Sequence, residues 1–155
     1  MKPILDACCG GRMFWFDKKN PHAVFGDLRQ FETQLCDNRT FVIKPDVILD
    51  FTNLPYEDGL FKLVVFDPPH LTKIGDKSWM AIKYGKLDED WRETLKKGFD
   101  ECFRVLDKHG VLIFKWCERD IKLSEISDLF PAPPLFGHPT NIKKTTHWLC
   151  FMKGL

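Results

Sequence analysis

The chain has 155 residues, 44% of them apolar and 29% charged, and its 23 basic side chains nearly balance 22 acidic ones for a net charge of +1. This composition excludes a disordered tail, a collagen-like chain and a coiled coil. No apolar run approaches the roughly 18 residues of a membrane helix, and near-neutral charge argues against a protein that binds nucleic acid over its whole surface.

The length predicts one domain over residues 1–155. Asp6 and Arg12 fall where a secretory signal needs an apolar core, which predicts a cytoplasmic protein. The six cysteines (8, 9, 36, 102, 117 and 150) contain no Cys-x-x-Cys pair, so they read as reduced packing residues and not as a zinc site. His22, His109, His138 and His147 show no ligand spacing either, and no metal is expected.

In chain order, residues 3–8 read as a buried strand that runs into Gly10 and Gly11. Residues 11–20 read as a short helix stopped by Pro21, with Phe14, Trp15 and Phe16 as core and one of them near a ligand. Residues 23–27 form a second strand. Residues 28–45 show no helical pattern and hold an extended piece at 41–43. A third strand covers 47–50 and a fourth covers 60–66, ending at Asp67-Pro68-Pro69-His70. A polar segment, 71–87, follows. Next comes a helix with Asp90 and Glu93 as capping box, one apolar face of Trp91, Leu95, Phe99, Cys102 and Leu106, and Gly110 as its stop. Residues 111–116 form a fifth strand. Leu123, Ile126, Leu129 and Phe130 mark a short helix before Pro131, and strands at 135–137 and 148–152 pair as an antiparallel hairpin.

Strands separated by crossovers predict an α/β domain around a mostly parallel sheet, with ligands at the carboxyl ends of its strands. Four strands end in an acid: Asp6, Asp27, Asp50 and Asp67. Gly10 and Gly11 let the backbone turn sharply beneath a ligand. Asp27 follows Asp6 by 21 residues, the distance at which a carboxylate holds a ribose diol. Each of these alone reads equally as an ordinary turn. Asp67-Pro68-Pro69-His70 is sharper. Two prolines make a rigid turn and remove two N–H groups, which leaves an array of acceptors facing whatever amine comes there.

Taken together, Asp6-x-Cys8-Cys9-Gly10-Gly11, Asp27, Asp50 and Asp67-Pro68-Pro69-His70 resemble the class I S-adenosylmethionine-dependent methyltransferases over nearly the whole chain. The last motif resembles the Asp/Asn-Pro-Pro-Tyr/Phe signature of enzymes that methylate amino groups, and the chain is similar to small phage-type methyltransferases made of the catalytic core alone. The resemblance implies a Rossmann-like sheet of seven strands, the last inserted antiparallel, and S-adenosyl-L-methionine as cofactor. It implies that Asp6, Ala7, Cys8 and Gly10 lie under the methionine part, that Asp27 binds the ribose, and that Asp50 and Phe51 lie near the adenine. Arg12 reaches for the cofactor carboxylate in the same reading. Asp67, Pro68, Pro69 and His70 would hold the acceptor amine and stack on its ring, His70 standing where the family has Tyr or Phe.

The implied activity is methyl transfer to an amino nitrogen, foremost adenine N6 or another base amine in DNA or RNA. Two basic segments fit a nucleic-acid substrate. Residues 71–87 carry an excess of three positive charges and residues 138–147 an excess of two. Lys73, Lys77, Lys83, Lys86, Lys143 and Lys144 would meet phosphates, and Trp79 and Tyr84 would stack on bases. Three alternatives stand beside this reading: a protein side-chain amide or small molecule as acceptor, a non-catalytic cofactor-binding partner subunit, and a nicotinamide dehydrogenase, which lacks a use for the Asp-Pro-Pro turn. Lys115 also invites comparison with the lysine of ribose 2′-O-methyltransferases. With no room for a target-recognition domain, a homodimer or a partner subunit stays open.

Overall fold

The computed structural model describes residues 1–155. In chain order the elements are β1 (Ile4–Asp6), β2 (Ala23–Asp27), β3 (Phe31–Gln34), β4 (Thr40–Ile43), β5 (Val47–Ile48), β6 (Phe61–Phe66), α1 (Trp79–Tyr84), α2 (Trp91–Val105), β7 (Leu106–Cys117), α3 (Leu123–Ile126), a 3-10 turn at Ser127–Leu129, β8 (Phe136–Thr140) and β9 (Thr146–Met152). Seven strands form one sheet in the order β5-β2-β1-β6-β7-β9-β8, and β3 and β4 form a separate hairpin. The first five strands of that order run parallel, while β9 is antiparallel to both β7 and β8. The expected α/β class and mostly parallel seven-stranded sheet are present.

Register sets which side chains share a face. Leu5, Val64, Leu112 and Phe151 are aligned across β1, β6, β7 and β9, and all four are buried. Against this row α2 presents Leu95, Phe99, Cys102 and Val105. Burying Leu95 and Phe99 contributes roughly 1.5–3 kcal/mol each. α2 can come this close because it carries Gly98 at the contact, where a Cβ would meet Phe66 Cζ at 2.6 Å and Phe51 Cδ2 at 2.7 Å. The opposite face of the sheet carries a smaller cluster, Cys9, Ala23 and Phe25, with Trp15 packed on it.

Several local expectations are corrected. No helix forms over 11–20. Arg12 has a φ of 54°, Phe16 is fully exposed, and Asp17 and Asn20 accept from the N–H of Lys19 and His22, so side-chain turn bonds replace a helical ladder. Asp90 makes no side-chain cap bond, and Glu93 pairs with Lys97 at 2.8 Å along the helix instead of reaching back, so neither half of the capping box forms. Gly110 does not end α2. The helix stops at Val105, and Gly110 closes a loop inside β7 where a Cβ would lie 2.9 Å from the Asp107 carbonyl oxygen. The segment 71–87, read as polar loop, contains α1, capped by Ser78, whose hydroxyl accepts from Met80 N–H. Cys36 is exposed and not packed. The extended piece at 41–43 is part of β4, and the terminal hairpin pairs as expected. No helix is long and apolar enough to cross a membrane.

Candidate functional site

A cavity of about 430 Å³ opens at the carboxyl ends of β1, β2, β6 and β7. Its floor is the turn after β1. Asp6 is fully buried beneath it, accepting from Trp15 Nε1 at 2.7 Å and from Cys8 N–H at 3.3 Å. Burial pushes the Asp6 carboxyl up to about 7, opposed by the Trp15 hydrogen bond and reinforced by the nearby Asp67 and Asp27 carboxylates. Ala7, Cys8 and Gly10 line the cavity above it. Gly10 has a φ of 48°, and a Cβ there would meet nothing within 4 Å, so the turn leaves its side of the cavity open.

Asp27 ends β2 and closes the next wall. It accepts from Gly10 N–H at 2.8 Å and from Arg29 N–H at 2.9 Å. The two donors occupy about half of the roughly four lone-pair positions of a carboxylate, so acceptor capacity remains. The Arg29 guanidinium lies 3.4 Å from the same carboxylate and donates to the Ile82 carbonyl at 2.9 Å. It thereby ties α1 to the end of β2 across the cavity mouth.

Asp67 follows β6. Its Oδ2 pairs with Lys115 Nζ at 2.9 Å, with the two side chains 21% and 24% exposed. Burial raises the Asp67 carboxyl above the usual carboxylate range, and the Lys115 charge pulls it back down. Asp67 Oδ1 and the Pro68 carbonyl accept no protein hydrogen bond, and Pro68 and Pro69 bring no N–H of their own. His70 stands between Tyr84, at 5.9 Å between ring centroids, and Trp116, at 6.1 Å. Burial holds the His70 imidazole down to about 4, the Lys115 and Arg119 charges act in the same direction and Asp120 opposes them, so the ring is neutral at neutral pH. The turn after α1 completes the wall: a Cβ on Gly85 would lie 3.1 Å from Pro69 Cγ, which brings Tyr84 and Lys86 to the cavity.

The structure thus brings Ala7, Cys8, Gly10, Asp27, Phe51, Asp67, Pro68, Pro69, His70, Tyr84 and Lys86 to one cavity, with Asp6 directly beneath. Other expected residues lie elsewhere. Arg12 turns away: its guanidinium covers the Phe25 ring at 3.8 Å and donates to the Lys18 and Lys44 carbonyls and to Asp46. Asp50 is exposed and accepts from Thr52 N–H and Oγ1 in a local turn. Lys73 and Lys77 are on the exposed loop before α1, and Trp79 and Lys83 are on α1 with Lys83 Nζ 5.9 Å from the Trp79 ring. Lys143 and Lys144 sit in the exposed β8–β9 turn. That turn does reach the carboxyl edge, since Thr146 pairs with Cys117.

Lys115 and Arg29 are cavity residues that the sequence reading of the site did not include, and Phe14 is the one of residues 14–16 that reaches the cavity. Phe14 meets Trp148 edge-on at 5.2 Å, and Lys115 Nζ lies 5.5 Å from the Phe14 ring and 5.8 Å from the Trp148 ring. Lys115 drew notice only through a different chemistry, because nothing linear joins it to Asp67, 48 residues away. Arg29, two residues past Asp27, carries no motif. No group of three or more His, Cys, Asp or Glu gathers as metal ligands. No protein-family model matches the chain, and no curated protein matches it as a relative.

Proposed function

We propose that this chain is an S-adenosyl-L-methionine-dependent methyltransferase that methylates an amino nitrogen, foremost the N6 of adenine or another base amine in DNA or RNA. The observation that carries the reading is the meeting, in one cavity, of the Gly10 turn, Asp27 and Asp67-Pro68-Pro69-His70 from three separate strand ends. The strand order, with β9 inserted antiparallel between β7 and β8, supports it as the order of a Rossmann-like class I methyltransferase sheet. The residues present fit the cofactor. The cavity has the volume of a small-ligand site, glycine leaves its floor open, and Asp27 keeps acceptor positions for a diol.

The cofactor, when bound, supplies a methyl group already activated on a sulfonium. The chain's own residues position and stabilise. Asp67 Oδ1 and the Pro68 carbonyl accept N–H from the acceptor amine, which localises the nitrogen lone pair and meets its developing charge with fixed acceptors. Lys115 favours the charged form of Asp67 against the pull of burial and orients its carboxyl. Neutral His70 offers an uncharged ring to the acceptor. Holding the reactants in line is worth several kcal/mol of barrier.

The test is a calorimetric titration with S-adenosylmethionine, with Asp27→Ala as comparison. Micromolar binding that the variant loses supports the reading. A folded wild type that binds no cofactor refutes it.

A further inference from the structure

A second concavity, of about 410 Å³, lies against the outer side of the Gly10–Gly11 turn. Its walls come from residues 12 and 18–19 on one side and from 42 and 44–46 on the other. Arg12 staples them together, donating to the Lys18 carbonyl at 2.6 Å from one wall and to the Lys44 carbonyl at 2.8 Å from the other. The walls carry Lys18, Lys19 and Lys44. The acid of the cleft, Asp46, is already matched by Arg12 at 2.9 Å and by Lys2 at 3.5 Å. Asp17 is exposed beside them, its carboxylate accepting the Lys19 backbone N–H, so the three lysines retain an excess of two positive charges and form no ion pair of their own.

Phe16 is an independent observation. It stands two residues before Lys18 and is fully exposed, although Trp15 next to it packs on Phe25 at 4.8 Å. Its ring makes no aromatic pair within the chain. A bare phenyl ring two residues along the chain from the cleft's unpaired lysines matches the stacking platforms of proteins that hold single strands. A duplex keeps its base faces stacked inside and offers Phe16 nothing.

We propose that this cleft, with Phe16, is a docking site for a single-stranded polynucleotide: Lys18, Lys19 and Lys44 meet successive phosphates, and Phe16 stacks on a base. Because the cleft shares Gly10 and Gly11 with the main cavity, a strand docked there lies beside the cavity without occupying it. The inference goes beyond the methyl-transfer reading and does not depend on it.

The experiment is fluorescence anisotropy with a fluorescein-labelled single strand of about 16 nucleotides, the upper end of a single-module site. It compares the wild type, Phe16→Ala, and the triple variant Lys18→Ala/Lys19→Ala/Lys44→Ala across a salt series. All four positions are exposed, so folding is not at stake. The triple variant binds roughly 100-fold more weakly at about 0.1 M salt, and its log affinity falls less steeply with log salt by about 2, at roughly 0.7 per single-strand contact. Phe16→Ala weakens binding roughly 5- to 100-fold with the salt slope unchanged. An unchanged slope in the triple variant, no binding by the wild type, or equal binding of a duplex insensitive to Phe16→Ala overturns the proposal. So does Phe16-dependent binding of phosphatidylserine vesicles in place of the oligonucleotide. S-adenosylmethionine titrations on the same three proteins separate failure of this cleft from failure of the cofactor site.

Discussion

Replacing Lys115 by methionine keeps a side chain of similar length and removes the charge, which faces Asp67 and lies 5.5 Å from the Phe14 ring and 5.8 Å from the Trp148 ring. At the observed 2.9 Å separation and an effective dielectric constant of about 20, the pair's direct attraction is about 6 kcal/mol. Most of that offsets the desolvation of two ions. What the variant exposes is therefore the cost of a carboxylate left buried alone. Such a cost is about 3–5 kcal/mol for a fully enclosed pair, and the fifth to quarter exposure of these side chains reduces it to about 2–3 kcal/mol. The sign with pH follows from the direction of the Asp67 shift. Burial already raises that carboxyl, and loss of Lys115 raises it further. The penalty is full at pH values above the raised pKa and disappears as falling pH protonates Asp67 in both proteins. Urea denaturation followed by tryptophan fluorescence over a pH series measures it, and a double-mutant cycle with Asp67→Asn isolates the pair. In the Asp67→Asn background, Lys115→Met should cost under about 1 kcal/mol. A penalty independent of pH, or full additivity with Asp67→Asn, refutes the coupling.

Two further outcomes follow from the same coordinates. Gly98→Ala improves helix propensity by about 1 kcal/mol, yet it should destabilise the protein by about 1–3 kcal/mol net, because the new Cβ drives into Phe66 and Phe51; a gain in urea midpoint would contradict the close packing of α2. Asp6, with its carboxyl raised to about 7 from an ordinary unfolded value of about 4, contributes stability that is full at acid pH and is lost as pH climbs to 7; the loss is about 4 kcal/mol, so Asp6→Asn should flatten the stability profile over that window, and an unaltered slope would show that Asp6 is not the buried titrating group.

How much of this was legible in the sequence depended on how local the cause was. The strand ends were readable because each short apolar run, such as 61–66, stops abruptly at Asp, Gly or Pro, and the turn chemistry lies within a few residues. The 28–45 segment shows no helical period, and the structure fills it with the β3–β4 hairpin. The 11–20 segment misled because its aromatic run suggests one buried face. In fact Phe14, Trp15 and Phe16 go three different ways, to the cavity, to Phe25 and to solvent. α1 was hidden because six residues, two of them aromatic and one lysine, give too little periodicity to read. The resemblance points Arg12 at the cofactor carboxylate, whereas Asp46, 34 residues on, captures it. The Asp67–Lys115 pair was invisible because it depends on β6 and β7 lying side by side, a fact of sheet order and not of spacing.

The insertion of β9 has a consequence for how the chain assembles. β8 touches the sheet only through β9, and β9 comprises Thr146–Met152, the last strand of the chain. β8 emerges from the ribosome with no neighbour to pair with. It must wait until the following residues slot in against β7, and Leu135 and Phe136 remain exposed even then. The central strand β1 can pair with β2 early but gains its other neighbour, β6, only about sixty positions later. The sheet is thus completed through pairings distant in sequence, which slows folding relative to a fold of local contacts and makes the docking of β9 against β7 its closing step.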